Sequence, residues 1–469
     1  MPTRDIRPAH EEALHKLEEE KGVVYAHSTG SGKTSLSLEA ADRLGGNSLF
    51  ITPASLVGNV EKERLKFKFK SKPEVLSYEK AINDIHRLNK KKYNLIVFDE
   101  AHKLRNATSE RSKVLGDLAA KAQHRMLLTA TPIFNRPSDL GRLVNIAAAD
   151  HKIPEDPKKF HEEFTETKTV QPSFWDRIVH GAQPYTKESL VIPKKYQEDL
   201  VSHVHHYDAT EESAEHFPSV EEHVVPVEMS RRQQKLTHFY TKKLPTLLRW
   251  KIKMGVPPEK RDISKLNTFS SALRQISNDT RQFSKHPEDE AVTPKIKTAV
   301  SHLAKMHHED KNFRAFVYSN YIGAGLQPYS DELKKQGIGH EIIDGSMSKN
   351  QRTEIVKRFN AGKTKVLLGS GAASAGLDLK GTKLVQTLEP AWENSTIKQV
   401  VGRASRYKSH SHLPPEERKV RVEHYHSTLP GEHSIDEYLH MMAKEKEKTS
   451  KPLWDLIKRH GYQSHMPKT

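Results

Sequence analysis

The 469-residue chain contains no cysteine. Disulfides, thiolate nucleophiles and cysteine-ligated zinc are excluded, and a reducing, intracellular setting is the expected one. No apolar run approaches the ~20 residues that a membrane-spanning helix needs, so no membrane partner is expected. The amino terminus MPTRDIRPAHEEAL lacks the apolar core of a secretory signal, and export by that route is not expected. Aromatic residues are sparse at 7%, and acids are outnumbered: 76 Lys and Arg against 60 Asp and Glu give a formal charge of +16. Such a surplus suits a polyanion such as nucleic acid, although solubility alone makes many proteins basic. No repeat or low-complexity tract is visible, and the length suits two to four domains.

Along residues 23–150, the apolar runs VVYA, SLFIT, EVLSY and NLIVF alternate with amphipathic stretches, the first a helical pattern over 34–44. Strands spaced by helices make a parallel α/β sheet. A second set repeats the pattern: AFVYS (315–319), HEIID (340–344), KVLLG (365–369) and KLVQT (383–387). The expected fold is α/β, with one parallel-sheet lobe over 1–147 and another over 291–430. The segment 148–290 is charged, has Leu, Phe and Trp at helical spacing and carries scattered prolines; it reads as a mainly helical insertion. Residues 431–469 read as a helical extension.

After VVYA comes His27-Ser28-Thr29-Gly30-Ser31-Gly32-Lys33-Thr34, opening a helix. A phosphate chain needs several backbone N–H groups converging on it, which calls for glycines where a Cβ would block approach, and the helix adds its positive end. Thr29 to Thr34 are thus the expected nucleotide-binding residues. Lys33 would reach the β and γ phosphates of ATP, and the Thr34 hydroxyl would meet Mg²⁺. His27 stands where the usual pattern begins with glycine. At the end of NLIVF sit Asp99 and Glu100, where one carboxylate can join the Mg²⁺ shell and the next can act as base toward the attacking water.

Read in order, HSTGSGKT, ITPASL, VLSYE, FDEAHKLRN and LTATP, then FVYSNY, IIDGSMSKNQR, LLGSGAASAGLDL, LEPAWENS and QVVGRASRYKS, the chain resembles the two-lobed ATPases of helicase superfamily two. VVPVEMSRRQQKLTHFY and LRQISNDTRQF resemble connecting segments of its Swi/Snf-related DNA translocases. The resemblance covers about residues 4–430 and implies two RecA-like lobes. It implies that Arg406 is the arginine finger with Arg403 beside it; three apart, the two would share one helical face. It implies backbone phosphate contacts from Pro53, Ala54 and Ser55 in the first lobe and from Ser319, Asn320, Ser370 and Gly371 in the second. Thr129, Thr131 and Gln399 would couple nucleotide state to that surface. The family's early Arg-Pro-aromatic-Gln element reads Arg7-Pro8-Ala9-His10, leaving Arg7 and His10 as nucleotide-binding candidates, and Asp378 replaces the family's asparagine.

Three functions are weighed: a motor on duplex DNA that displaces proteins or remodels DNA, a strand-separating helicase on branched DNA or RNA, and a clamp that has lost its ATPase. The first is expected, with sequence-tolerant DNA contacts ahead of RNA, and a monomer is favoured. Arg64 to Lys70 alternates cations with apolar residues and reads as a lysine-protected edge strand. His203, His205 and His206 read as a solvated cluster, Glu211 to Glu222 as a surface loop, and Trp175, Trp250 and Trp392 as packing residues.

Overall fold

The structure is a computed structural model that describes residues 8–133, 136–170, 185–209, 214–258, 263–286, 291–371, 377–391 and 394–460. Arg7, Trp175 and Trp392 lie outside the described residues. The chain divides into two compact units, one of residues 1–212 with 446–469 and one of 213–445. No described helix is long and apolar enough to cross a membrane.

Six strands build the sheet of the first unit: β1 (Gly22–His27), β2 (Ser48–Thr52), β3 (Glu74–Ser77), β4 (Leu95–Asp99), β5 (His124–Thr129) and, past the hairpin of β6 (Thr165–Val170) and β7 (Tyr185–Leu190), β8 (Val204–Tyr207). All are parallel, in the order β3-β2-β4-β5-β1-β8. Their apolar runs are continuous because both faces are covered. Val24, Ile51, Phe98 and Leu127 enter one core, and Val23, Tyr25, Phe50, Val97 and Met126 the other. Leu453 and Ile457, far along the chain, join the first of these cores.

The second unit repeats the design with β9 (Ser219–Glu228), β10 (Ala315–Tyr318), β11 (His340–Ile343), β12 (Val366–Gly369), β13 (Leu384–Thr387) and β14 (Lys419–Thr428), all parallel in the order β11-β12-β10-β13-β14-β9. Three helices, Arg231–Thr241, Thr246–Met254 and Ile263–Asn278, enclose a separate small core with Tyr438, Leu439 and Met442 of the final helix. The segment between the lobes is mainly helical, as expected, yet β8 and β9 extend the two sheets.

Neither strand announced itself. β8 reads VHHY, and β9 reads SVEEHVVPVE, with exposed acids and a proline that an edge strand tolerates because its N–H would face solvent anyway. Two other expectations are corrected. The stretch Arg64–Lys70 is no strand: the helix Val57–Lys66 runs into it, Lys68 turns back at φ +54°, and the Lys70 and Ser71 N–H groups bond Asp42 at 3.1 and 2.6 Å. The histidines are no solvated cluster, because His205 is 1% exposed inside β8.

Candidate active site and nucleic-acid interface

The turn after β1 is built on two glycines at positive φ, Gly30 (+80°) and Gly32 (+85°). A side chain at Gly32 would also lie 3.1 Å from the His10 ring, so glycine is required there twice over. His10 is buried, and its Nε2 donates to the Ser31 carbonyl at 2.8 Å. Its ring therefore supports the phosphate loop from beneath and is not open to a nucleotide base, which corrects the expectation drawn from the early motif. The loop is braced from β8 as well: Ser28 N–H donates to the Tyr207 carbonyl at 3.0 Å, and Ser28 Oγ accepts from Ala209 N–H at 3.0 Å. His27 pairs with His205 at 2.8 Å, and burial followed by the neighbouring His205 holds the His27 pKa well below the usual histidine value.

Lys33 opens the helix Lys33–Leu44 and folds over the turn, donating to the carbonyls of His27 and Ser28 at 3.0 and 2.9 Å. Thr34 follows in the first helical turn. The Ser31 hydroxyl is buried without a hydrogen-bond partner among the described residues. Positive-φ glycines, a half-buried lysine and an orphaned hydroxyl at a helix start fit a phosphate chain.

Asp99 ends β4 and accepts from Thr52 Oγ1 and from Glu100 N–H, both at 3.0 Å. Burial first, and then the Glu100 carboxylate, raise its pKa to about 6, while the Lys33 ammonium opposes the rise. Glu100 is forced into the left-handed region at φ 54°, ψ 48°. From it a polar chain runs inward. Glu100 stands 3.3 Å from His102 Nδ1, His102 lies 3.4 Å from the Thr129 hydroxyl, and that hydroxyl accepts the Thr131 N–H at 3.0 Å. Among the described residues no three His, Asp or Glu gather as a metal cage. One carboxylate and one hydroxyl are the donor set Mg²⁺ takes when phosphates and water complete its shell.

In the second unit, Leu379 N–H bonds the Arg403 carbonyl at 3.1 Å, so the Asp378 turn and the arginine pair share one corner, with half-buried Gln399 a turn earlier on the same helix. The helix Asn394–Ala404 stops short of Arg406. Ser405 Oγ bonds back to the Val401 carbonyl at 3.1 Å, and Ser409 N–H closes the next turn on Arg406. The expected shared helical face is corrected: Arg406 leaves from a turn, and its direction is set by that turn.

The carboxyl ends of β10, β11 and β12 open onto a cleft of about 550 Å³ lined by Asn320, Asp344, Gly345, Ser346, Ser370 and Gly371. A Cβ on Gly371 would lie 3.1 Å from the Tyr318 hydroxyl. Ser319 does not line the cleft. It is fully buried, with its hydroxyl 3.1 Å from each Glu389 carboxylate oxygen, which corrects its expected phosphate contact. Glu389 also accepts the Asn320 N–H and, at 2.8 Å, Asn278 Nδ2. In the first unit Pro53, exposed Ala54 and Ser55 form the turn that leaves β2, closed by Leu56 N–H on the Pro53 carbonyl at 2.8 Å.

Residues 16–282 match the SNF2-related domain, more than half of the chain. The chain belongs to the SNF2-related family. Residues 295–408 match the helicase conserved C-terminal domain. A putative ATP-dependent RNA helicase of Acanthamoeba polyphaga mimivirus is 29% identical over 449 residues, covering 92% of this chain and 91% of that protein. A termination factor NPH-I homolog of African swine fever virus is 22% identical over 552 residues, covering 94% and 76%. Among solved structures, the Sulfolobus solfataricus SWI2/SNF2 ATPase core in complex with dsDNA aligns over 97% of both chains at 17% identity, with a TM-score of 0.39. On its two family matches and its helicase-named relatives, this SNF2-related protein is a helicase-like, nucleic-acid-dependent ATPase of superfamily two.

Several residues of this SNF2-related site escaped the sequence. Thr52, His102 and Asp344 to Ser346 lay inside quoted motifs without assigned roles, and their positions at strand ends were the available signal. Glu389 and Asn278 carried no local signal, because they meet only through the fold.

Proposed function

We infer that this ATPase moves along double-stranded DNA and displaces bound proteins or remodels the duplex. The observation that carries the reading is the second-unit cleft, where a serine hydroxyl, an asparagine amide and glycine backbone line the ends of three adjacent strands, beside an Asp344 carboxylate that is occupied by the Ser346 N–H at 2.8 Å. Such neutral donors suit phosphate oxygens and leave base sequence unread. They can grip one strand of an intact helix.

In the ATPase cycle Lys33 would exchange the His27 and Ser28 carbonyls for β and γ phosphate oxygens. Thr34 and Asp99 would hold Mg²⁺, which neutralises charge on those oxygens when bound. Glu100, presented by its left-handed backbone, would orient the attacking water and take its proton. The second lobe would supply Arg406, with Arg403 beside it, to the charge developing in the transition state. The line from Glu100 through His102 to Thr129 and Thr131 supports a coupling role for the two threonines.

A second reading, a strand-separating helicase, is favoured by one feature. β6 and β7 form a separate antiparallel hairpin, paired from Thr165 with Leu190 to Val170 with Tyr185, the kind of element that can intervene at a fork. The relatives named as RNA helicases support RNA as the substrate in that reading. Grip alone does not open a duplex, since each base-pair step resists by about 1.4 kcal/mol. The test compares ATPase stimulation by single-stranded DNA, duplex DNA, forked DNA and RNA, together with displacement of a triplex-forming third strand. Duplex stimulation with third-strand displacement and no unwinding is expected. Separation of a forked substrate without third-strand displacement would replace the translocase by the helicase.

A further inference from the structure

Between Arg231 and Lys253 the chain carries eight Lys and Arg and no Asp or Glu. The helices Arg231–Thr241 and Thr246–Met254 sort these residues by face. Leu244, Leu248 and Ile252 are buried against Leu266, Leu273 and Leu439, and Lys251 is buried with them, whereas Arg249 is half-buried and Arg231, Arg232, Lys235, Lys242, Lys243 and Lys253 are exposed. The same outer surface exposes large apolar groups: Phe239 is 58% exposed and Trp250 49%. The expectation that Trp250 is a packing residue is therefore overturned. A groove of about 420 Å³ runs along the pair, lined by His238, Lys242, Arg249, Trp250 and Lys253. Glu432, the one acid among its described lining residues, pairs with Lys253 at 3.1 Å and with His238 at 3.4 Å. Lys243 sits over the Phe239 and Tyr240 rings, 4.6 and 4.8 Å from their centroids.

We propose that this face is a second nucleic-acid site that binds a single-stranded segment, with the lysines and arginines tracking phosphates and Trp250 stacking a base. Solvent-facing rings set among cations are the chemistry by which single strands are held without sequence preference. An acidic peptide would satisfy the cations and leave the rings unused. A duplex keeps its base faces inside the stack, so an exposed indole gains little from it. The site extends the reading of a nucleic-acid motor, and none of its lining residues lines the strand-end cleft or has been given a role in ATP turnover.

The full-length protein, titrated with a short fluorescein-labelled oligothymidylate at several salt concentrations, tests the site. Trp250→Ala should weaken binding about 10-fold or more, the range for loss of one base stack, while Trp250→Phe keeps most of it. The double change Lys242→Ala with Lys253→Ala should lower the salt slope by about 1.4, at about 0.7 per cation on a single strand. Duplex-stimulated ATPase should stay at the wild-type rate in all variants. Unchanged oligothymidylate affinity in Trp250→Ala and in the double variant would overturn the site. So would competition at this face by polyglutamate but not by oligothymidylate, which would reassign it to an acidic protein partner. Failure of the duplex-translocase reading would show separately, as missing duplex stimulation in the wild type.

Discussion

Glu100 holds φ +54°, a region that costs a residue with a Cβ about 1–2 kcal/mol. Strain of that size is kept where the surroundings over-determine the backbone, often at functional sites. Here Asp99 accepts the Glu100 N–H, and Tyr78 donates to the Asp99 carbonyl at 2.9 Å. Glu100→Gln should therefore retain ATP binding and lose hydrolysis, while Lys33→Ala should lose turnover through the missing β/γ-phosphate cation. Nucleotide-binding and phosphate-release assays separate the two defects; near-normal turnover in either variant would remove the assignment. Asp99 yields a pH prediction. Its folded pKa lies above the ordinary carboxylate value of about 3.9, so its charged form burdens the fold above about pH 6, and protonation relieves that burden as pH falls from there toward 4. The proton competes with Mg²⁺ for the same oxygens, so turnover should drop below about pH 6. Raising Mg²⁺ should move that limb to lower pH in a rate profile, and a limb indifferent to Mg²⁺ would exclude Asp99.

At the scale of elements, the strand-end cleft proposed to grip nucleic acid depends on a loop that does not hold itself. The Asn320 backbone is anchored by Glu389, just beyond β13, and Glu389 in turn receives Asn278 from the end of the helix Ile263–Asn278. Glu389→Gln replaces one acceptor oxygen by a donor facing three donors. Hydrogen bonds to charged groups contribute about 1.5–3 kcal/mol, so nucleic-acid affinity should fall roughly 10-fold or more. Turnover without nucleic acid should be unchanged, because Glu389 has no role in the phosphate chemistry and its partners Ser319, Asn320 and Asn278 all belong to the second unit. Equal loss of basal and stimulated ATPase would mean general unfolding of the element.

At the scale of the molecule, two-lobed chemistry makes its own demand. Arg406→Ala should reduce turnover by about 10³ or more with little change in ATP affinity, because the finger acts on transition-state charge. Steady-state kinetics with a binding titration would reveal wild-type turnover if Arg406 has no such role. The second unit is also locked internally by Lys295, 1% exposed and 2.6 Å from fully buried Asp436, with Ser277 shared between them. Burial pushes the Asp436 pKa up most strongly, yet the Lys295 ammonium and its hydrogen bonds hold it below the usual value. Its stability contribution is thus complete above about pH 4 and lost as pH falls through the lower folded value. Lys295→Met leaves that carboxylate buried and unpaired, a loss of about 3–5 kcal/mol in denaturant unfolding. A loss under about 1 kcal/mol would show that water reaches the site.

Much of this protein was legible in its residue order. Apolar runs spaced by helical patterns announce two parallel sheets because hydrogen bonding and burial act over a few residues. The turn His27 to Thr34 and the pair Asp99-Glu100 are likewise local, each function carried by neighbours in the chain. What the sequence could not express are contacts between distant segments. β8 looked like loose histidines until β1 covered it, and Ser319 looked like a phosphate contact until Glu389 claimed its hydroxyl. Trp250 looked like core, yet it faces solvent because Leu244, Leu248 and Ile252 take the inner face of its helices. A side chain's partners depend on which surfaces the fold brings together, and that competition among faces was decided only by the tertiary structure.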